Sequence, residues 1–474
     1  MMERMFDLNI ETILENWTVS DALREIISNA LDEQALTNTE DIKISKDMLG
    51  NWHIRDFGRG LEYNHFTQNE NEEKLSHPNL IGKFGVGLKD ALATFDRNNI
   101  GVRIKSKHGD ISLTKMTKHD FEDITTLHAS IMCNEDIDFK GTEFILSDID
   151  DSDVEKAKQL FIKFSNSNVL DVTKYGEVLE KGSETAYVYI NGLKVAEEDN
   201  FQFSYNITNV DKKIKRALNR ERSNVGRSAY SDRVKSILLS SSTDEVAQSI
   251  AENLKEYTSG NLFDEVKWID VQVHAIKILN TKGKTLFISS DKVMTKPELL
   301  DDAESEGYKI VVVPNNLYEK ICDITDLNGD RITNTERFYD IYNESFEFEF
   351  IKTSALNKSE MKVYQYKSDI IRMFGGMPRN VKRIEISQNM RKDYSVSSEI
   401  NGLWIPDQNM IVIKRKQLKS LELFSGTLMH ELVHAKTGTS DVSRGFENHL
   451  TELIGKLCNE TLEKKRRKKF FGLF

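Results

Sequence analysis

Apolar residues recur at helical spacing over 20–36, where Ala22, Leu23, Ile26, Ile27, Ala30 and Leu31 line one face and Thr18 or Ser20 offers an N-cap. Glu25, Asn29 and Asp32 fall at i, i+4 and i+7, so they share a second, polar face. Stripes of this kind are most often solvated surface. A short apolar strand at 52–54 then runs into Asp56-x-Gly58-x-Gly60, whose glycines let the backbone turn tightly beside a ligand. Residues 67–77 carry many charges and no apolar face, the pattern of a surface loop or lid. Next comes Gly82-Lys83-Phe84-Gly85-Val86-Gly87-Leu88, a glycine-rich loop feeding a helix, which offers N–H groups and a positive dipole end to phosphates. Lys140-Gly141-Thr142-Glu143-Phe144 opens another strand, and 183–195 predicts two strands about an Asn191-Gly192 turn, expected as the closing edge of the first domain.

Beyond residue 211 the pattern becomes helical and basic over 212–239, with Arg220 and Arg222 as candidate phosphate-sensing cations. Residues 284–313 predict strand, helix, strand, a small α/β unit with no catalytic constellation. Asp326-Leu327-Asn328-Gly329-Asp330 carries its glycine at the fourth place, where a calcium loop needs it at the sixth, so a polar turn is expected. From about residue 345 the order is an amphipathic helix over 359–374, a strand at 381–386, a strand pair over 404–413, a helix over 418–435 and a second amphipathic helix over 444–457. The first of these last two carries His430-Glu431-Leu432-Val433-His434. Residues four apart on a helix point the same way, so both imidazoles can grip one zinc ion, and Glu431 is placed to hold and deprotonate a water. A third ligand is needed. Glu447, at the start of the second helix, is favoured, with Asp441 as an alternative or as an outer partner to an imidazole, and His449 and Glu452 nearby.

Composition narrows the compartment more than the chemistry. A chain of 474 residues predicts two to four domains, and its formal charge of −11 does not indicate a nucleic-acid coat, although the locally basic run 464–469 leaves contact with nucleic acid or an anionic membrane surface open beside the favoured reading of a soluble helix end. Cys133, Cys322 and Cys458 are far apart and odd in number, which points to a reducing, cytoplasmic setting. No apolar run approaches the roughly 20 residues that span a bilayer.

Glu25-xxx-Asn29-xx-Asp32, Asp56-x-Gly58-x-Gly60, Gly82-xx-Gly85-x-Gly87 and the Gly141-Thr142 strand opening together resemble the GHKL ATPase superfamily, which includes gyrase-type subunits, MutL, the ninety-kilodalton heat-shock chaperone and histidine kinases. The resemblance implies an α/β sandwich of the Bergerat type that binds ATP and Mg²⁺. It implies Asn29 as the Mg²⁺ ligand, Asp56 as acceptor of the adenine amino group with Thr142 assisting, and residues 82–88 as the phosphate wrap within a lid that begins near Tyr63. Asp32, Gly58, Gly60 and Arg222 would complete the nucleotide site. Glu25 would activate the attacking water, which favours the hydrolysing branches over the kinases. An N-terminal strap from residues 1–14 and dimerisation on ATP binding are also implied. The C-terminal order of elements looks like a minimal gluzincin-type metallopeptidase.

The expectation is therefore an α+β multidomain chain. It comprises a GHKL ATPase domain (1–210), an α/β coupling segment (211–345) and a zincin-like α+β domain with a basic tail (346–474). The expected function is an ATP-hydrolysing switch that controls a zinc peptidase acting on protein or peptide substrates. The rival expectation is an ATP-driven clamp or chaperone-like machine whose zinc site is structural.

Overall fold

A computed structural model describes the chain except for residues 1–3, 9, 11–16, 67–76, 78–79, 83–86, 119–120, 133–137, 219–224, 259, 296, 345, 394–397, 442 and 472–474. The fold is mixed α+β and divides into two compact units, Met1–Lys282 and Gly283–Phe474. The expected limits at 210 and 345 fall inside these units.

Unit 1 begins with a seven-stranded sheet in the order β1-β6-β5-β4-β7-β3-β2. Its strands are β1 (Arg4–Asp7), β2 (Lys43–Lys46), β3 (Trp52–Arg55), β4 (Gly101–Ser106), β5 (Gly109–Lys118), β6 (Phe121–Met132) and β7 (Thr142–Ser147). All its pairings are antiparallel. The segment expected as a strap supplies β1, which pairs with β6 at the sheet edge, Phe6 opposite Ala129.

Helix α1 (Val19–Thr37) starts where a Thr18–Asp21 capping box satisfies the first N–H groups and stops at Asn38 in the left-handed region. Its apolar face, with Leu23, Ile26 and Ile27, shares a core with Leu92 and Phe95 of α2 (Gly87–Arg97) and with Ile54, Ile104 and Phe144 of the sheet. Burial of this order, ~2 kcal/mol for each large apolar side chain, outweighs the modest helix propensity of the β-branched residues.

After α3 (Asp151–Lys158) the chain builds a second, five-stranded sheet, β11-β10-β12-β9-β8. Its strands are β8 (Val169–Thr173), β9 (Gly176–Leu179), β10 (Ala186–Ile190), β11 (Leu193–Glu198) and β12 (Ser204–Ile207). The two strands expected to close the first domain are thus β10 and β11 of a separate sheet. Strand β11 forms the edge of that sheet, while every residue of β10 except Tyr187 is buried. Helices α4 (Lys212–Ala217), α5 (Arg227–Leu238), α6 (Asp244–Asn253) and α7 (Ile269–Lys282) follow. Glu265 is fully buried beside this sheet and accepts from the N–H groups of Gln202 and Phe203 and from the Tyr205 hydroxyl, while burial pushes its carboxyl up to about 7.

Unit 2 opens with the expected α/β unit. Parallel strands β13 (Thr285–Ser289) and β14 (Lys309–Val313) are joined through α8 (Ser290–Thr295) and α9 (Pro297–Ser305). Helices α10 (Asn315–Ile321) and α11 (Thr335–Glu344) complete it. Asp326 closes a polar turn, its carboxylate accepting from the N–H groups of Asn328 and Asp330.

The single helix expected over 359–374 is two, α12 (Lys358–Tyr364) and α13 (Lys367–Phe374). Glu360, paired through both oxygens with Arg415, ties α12 down separately, while α13 turns Ile370 into the core. Strands β15 (Arg383–Ser387), β18 (Gly402–Ile405) and β19 (Met410–Lys414) form a sheet in the order β15-β19-β18, with the short β16 (Lys392–Asp393) and β17 (Ser398–Glu399) pairing apart. Helix α14 (Leu421–Thr437) lays Phe424, Leu428 and Leu432 against Ile384, Ile411 and Ile413 of that sheet. The last helix, α15 (Arg444–Phe471), runs past the expected end at 457 and meets α14 through Phe446, Leu450, Leu453 and Leu457. Among the described residues no helix is long and apolar enough to cross a membrane.

Candidate functional site

Two clusters gather the chemistry-bearing residues, one in each unit. The first lies where α1, α2, β3 and β7 meet. Although polar, Glu25 and Asp32 are buried on α1, with 4% and 1% of their surface exposed, and half-buried Asn29 stands one turn after Glu25. The stripe is therefore not a solvated face.

Glu25 lies against the head of α2. A Cβ built on Gly87 would stand 2.2 Å from Glu25 Oε2, so glycine is what lets the helix start beside the carboxylate. Arg24, itself buried, approaches Glu25 at 3.5 Å, bonds Asp21 and stacks over Trp17. Asp32 accepts from the N–H groups of Ile81 and Gly82, both at 2.7 Å, and so fixes the entry of the glycine loop. Lys83, Phe84, Gly85 and Val86 lie outside the described residues; the loop re-emerges at Gly87 and Leu88 as the first turn of α2.

Asp56 follows β3 and is nearly buried. Its carboxylate accepts from the N–H of Gly58 and from Thr142, yet burial, aided by the nearby Glu33 charge, pushes it up to about 6. The Gly141-Thr142 pair has a steric reason. Gly141 sits at φ +79° with its missing Cβ 2.0 Å from the Asp56 carbonyl oxygen, so only glycine brings Thr142 onto Asp56. Gly58 is similarly covered by Glu33, whose carboxylate accepts from the N–H and guanidinium of Arg59. Gly60, at φ +88°, turns the chain toward Leu61. The described residues singled out between Glu25 and Thr142 thus surround one region. Arg220 and Arg222 lie outside the described residues.

The second cluster sits on α14. His430 Nε2 and His434 Nε2 are 3.1 Å apart, and Asp441 Oδ1 lies 2.8 Å from the first and 2.9 Å from the second. Ligand atoms at ~2.0 Å from a tetrahedral zinc stand roughly 3.3 Å from one another, so the spacing suits one ion. Gly438, left-handed at φ +67°, ends the helix and folds the chain back so that Asp441 reaches the imidazoles. Thr439 O accepts from His434 Nδ1 at 2.7 Å, which leaves Nε2 as the ligating nitrogen. The Phe446 ring stacks on His434 at 4.3 Å and holds its plane. Burial lowers the His430 pKa, which favours the neutral, ligating form.

Among the described residues, His430, His434 and Asp441 are the group whose donor atoms converge. The expected third ligand, Glu447, is not in it; this acid is exposed in the first turn of α15, as is His449 nearby, and Glu452 is exposed further along. The helix reaches the cluster through Phe446 instead. Glu431 is 6% exposed. Burial raises it to about 7, while His434 and the Trp404 N–H of edge strand β18 pull it back. A residue that sequence reasoning passed over, Gly402, makes this fit possible, since a Cβ there would meet Thr427 Cγ2 at 2.6 Å and Glu431 Oε1 at 2.8 Å.

The family-model match falls on a stretch between the two clusters. The family model described as the Mycoplasma pneumoniae MPN635 N-terminal domain matches residues 152–244, which take in α3 and the whole five-stranded sheet through α5. A Mycoplasma pneumoniae protein described only as uncharacterized is 41% identical over 245 residues, 50% of this chain and 98% of that protein. A second, described in the same way and from the same organism, is 25% identical over 342 residues, covering 67% of this chain and 95% of its own length. Identity at the first level, across nearly the full length of that relative, is common descent, and the chain belongs to the same family as this Mycoplasma pneumoniae protein.

Proposed function

We propose that the chain is an ATP-binding and ATP-hydrolysing switch of GHKL type whose C-terminal unit is a zinc-dependent peptidase of zincin type. The observation that carries the first half is the burial of Glu25 against Gly87, with Asp32 gripping the loop entry and Asp56 joined to Thr142. A carboxylate held at a helix head beside a phosphate-wrapping loop has the position of a general base for phosphoryl transfer. Asn29, one turn away, is the residue that would hold Mg²⁺, and a glycine at 87 lets the Glu25 carboxylate lie against the helix head. Asp56, whose carboxyl oxygens Gly58 and Thr142 orient, would accept a hydrogen bond from a base amino group.

His430, His434 and Asp441 are the residues that would hold zinc, and three protein ligands leave a position open, as a catalytic site needs. Zinc, when bound, supplies a Lewis acid that polarises a peptide carbonyl. Glu431, buried beside it, accepts a proton from the attacking water and passes it to the leaving amine. The outer edge of half-buried β18 would take an extended protein segment, and nucleotide-dependent homodimerisation would set when the peptidase acts.

The test is purified protein assayed for ATP hydrolysis, zinc content and cleavage of an unstructured protein with and without ATP. Glu25→Ala should keep nucleotide binding and lose hydrolysis, and Glu431→Gln should keep zinc and lose cleavage. A zinc-loaded chain that cleaves nothing under either condition refutes the peptidase half and leaves the clamp reading. A chain that hydrolyses no ATP refutes the switch.

A further inference from the structure

The entry of the glycine loop is held from two directions. Asp32 of α1 takes the N–H groups of Ile81 and Gly82, and the residue just before them, buried Leu80, gives its carbonyl oxygen to Asn191 Nδ2 at 3.0 Å. Asn191 belongs to the turn between β10 and β11, so this bond runs from the five-stranded sheet to the first domain's loop across 111 positions of sequence.

The donor stands on a rigid post. Asn191 is left-handed at φ +49°, a conformation asparagine tolerates and most residues do not, and its own N–H donates to Ile207 O at 3.0 Å. The next residue, Gly192 at φ +84°, donates to Asn206 Oδ1 at 2.9 Å and accepts from Ile162 N–H at 2.9 Å. Asn206 and Ile207 belong to β12, every residue of which is buried. A shift of the loop entry therefore meets the central strand of the second sheet through the short Asn191 side chain and the bonds that hold its turn to Asn206 and Ile207. Lys194 on the same hairpin is turned away, bonded to Glu197 and lying over the Tyr187 ring, so the turn offers the loop a neutral amide rather than a cation.

We infer that Asn191 is a positioning residue that couples the glycine loop to the five-stranded sheet, so that nucleotide occupancy is read by the 152–244 module through the Leu80 carbonyl. It touches no phosphate. This inference rests on the nucleotide reading of the first cluster.

The experiment compares the full-length chain with Asn191→Asp and Asn191→Gly, by Mg²⁺–ATP binding and by amide hydrogen exchange. Aspartate is isosteric and keeps the left-handed backbone but has no donor for Leu80 O; glycine keeps the backbone and removes the side chain. Loss of one buried hydrogen bond should weaken nucleotide binding roughly fivefold to tenfold. At saturating nucleotide the parent chain should slow exchange in both 80–92 and 186–207, and both variants should keep the first and lose the second. A general structural defect would raise exchange in 186–207 without nucleotide as well. Nucleotide-induced protection of 186–207 that is equal in the parent and both variants overturns the coupling while leaving the nucleotide reading intact. Absence of nucleotide binding by the parent overturns both.

Discussion

Replacing Gly87 with alanine separates catalytic placement from stability more cleanly than removing Glu25 does. The added methyl would stand 2.2 Å from Glu25 Oε2, 3.0 Å from Cδ and 3.4 Å from Cγ. Ordinary contact begins near 3.4 Å, so the carboxylate has to retreat by about 1 Å, and a displacement of that size costs on the order of 100-fold in rate. The retreat itself is easy, because the obstructing atoms are the far end of a side chain. Gly87 is also the first residue of α2 and is not left-handed, so alanine there lowers the backbone entropy of the unfolded chain by up to ~1 kcal/mol of stability. Gly87→Ala should thus melt at the parent temperature or above it, bind nucleotide within a few-fold, and lose roughly 100-fold in kcat for ATP. Steady-state phosphate release and a thermal melt check both parts. Hydrolysis at the parental rate would show that Glu25 does not act from its position against α2, and the general-base assignment would fall with it.

Three other outcomes follow from the same geometry. Asp441→Ala should weaken zinc binding by at least roughly 100-fold in a competition with a chromophoric chelator, whereas Glu447→Ala should leave it unchanged; the reverse pattern would restore Glu447 as the ligand. Asp56 is held at about 6 in the folded chain against 3.8 unfolded, so its contribution to stability is complete below pH 3.8 and is lost as pH rises through 6. Asp56→Asn, neutral throughout, should flatten the urea-derived stability across that window, and an unchanged slope would contradict the burial argument. Gly402→Ala should cost about 1–3 kcal/mol by overpacking against Thr427 and Glu431, and should impair cleavage. Gly426→Ala, whose Cβ meets nothing within 4 Å inside the same helix, should gain up to ~1 kcal/mol; equal melting of the two variants would refute the close fit.

What the sequence made legible is what short-range pattern encodes. The apolar spacing of α1, the strand before Asp56, the helix after the glycine loop and the α14 stripe are all read from periods of 2 and 3.6, and each formed where expected within a few residues. The third donor was not legible in this way. Glu447 and Asp441 are both acids within reach along the chain, and the choice depends on Gly438 reversing direction at the end of α14, a backbone turn that brings Asp441 back while α15 leads Glu447 outward. The second sheet was missed for a related reason. Strands β10 and β11 carry a clear hairpin signal, but nothing in a hairpin says which neighbour it pairs with, and β10 takes β12 in parallel, a pairing that no local rule predicts.

Burial is what separates the polar stripe of α1 from a solvated face. Glu25, Asn29 and Asp32 have the spacing of any solvated stripe, and a carboxylate withdrawn from water costs several kcal/mol unless its surroundings compensate. Asp32 is compensated by two backbone N–H groups at 2.7 Å, so its burial is explained by the loop it holds. Among the described residues Glu25 is met by a guanidinium contact at 3.5 Å, too long for a strong hydrogen bond, and its carboxylate occupies the space that a side chain at 87 would take. A chain that only needed a stable helix here would place an apolar residue at 25 and alanine at 87. That both choices go against stability, at two points that meet in space, is the physical argument for reading Glu25 as a residue kept for chemistry.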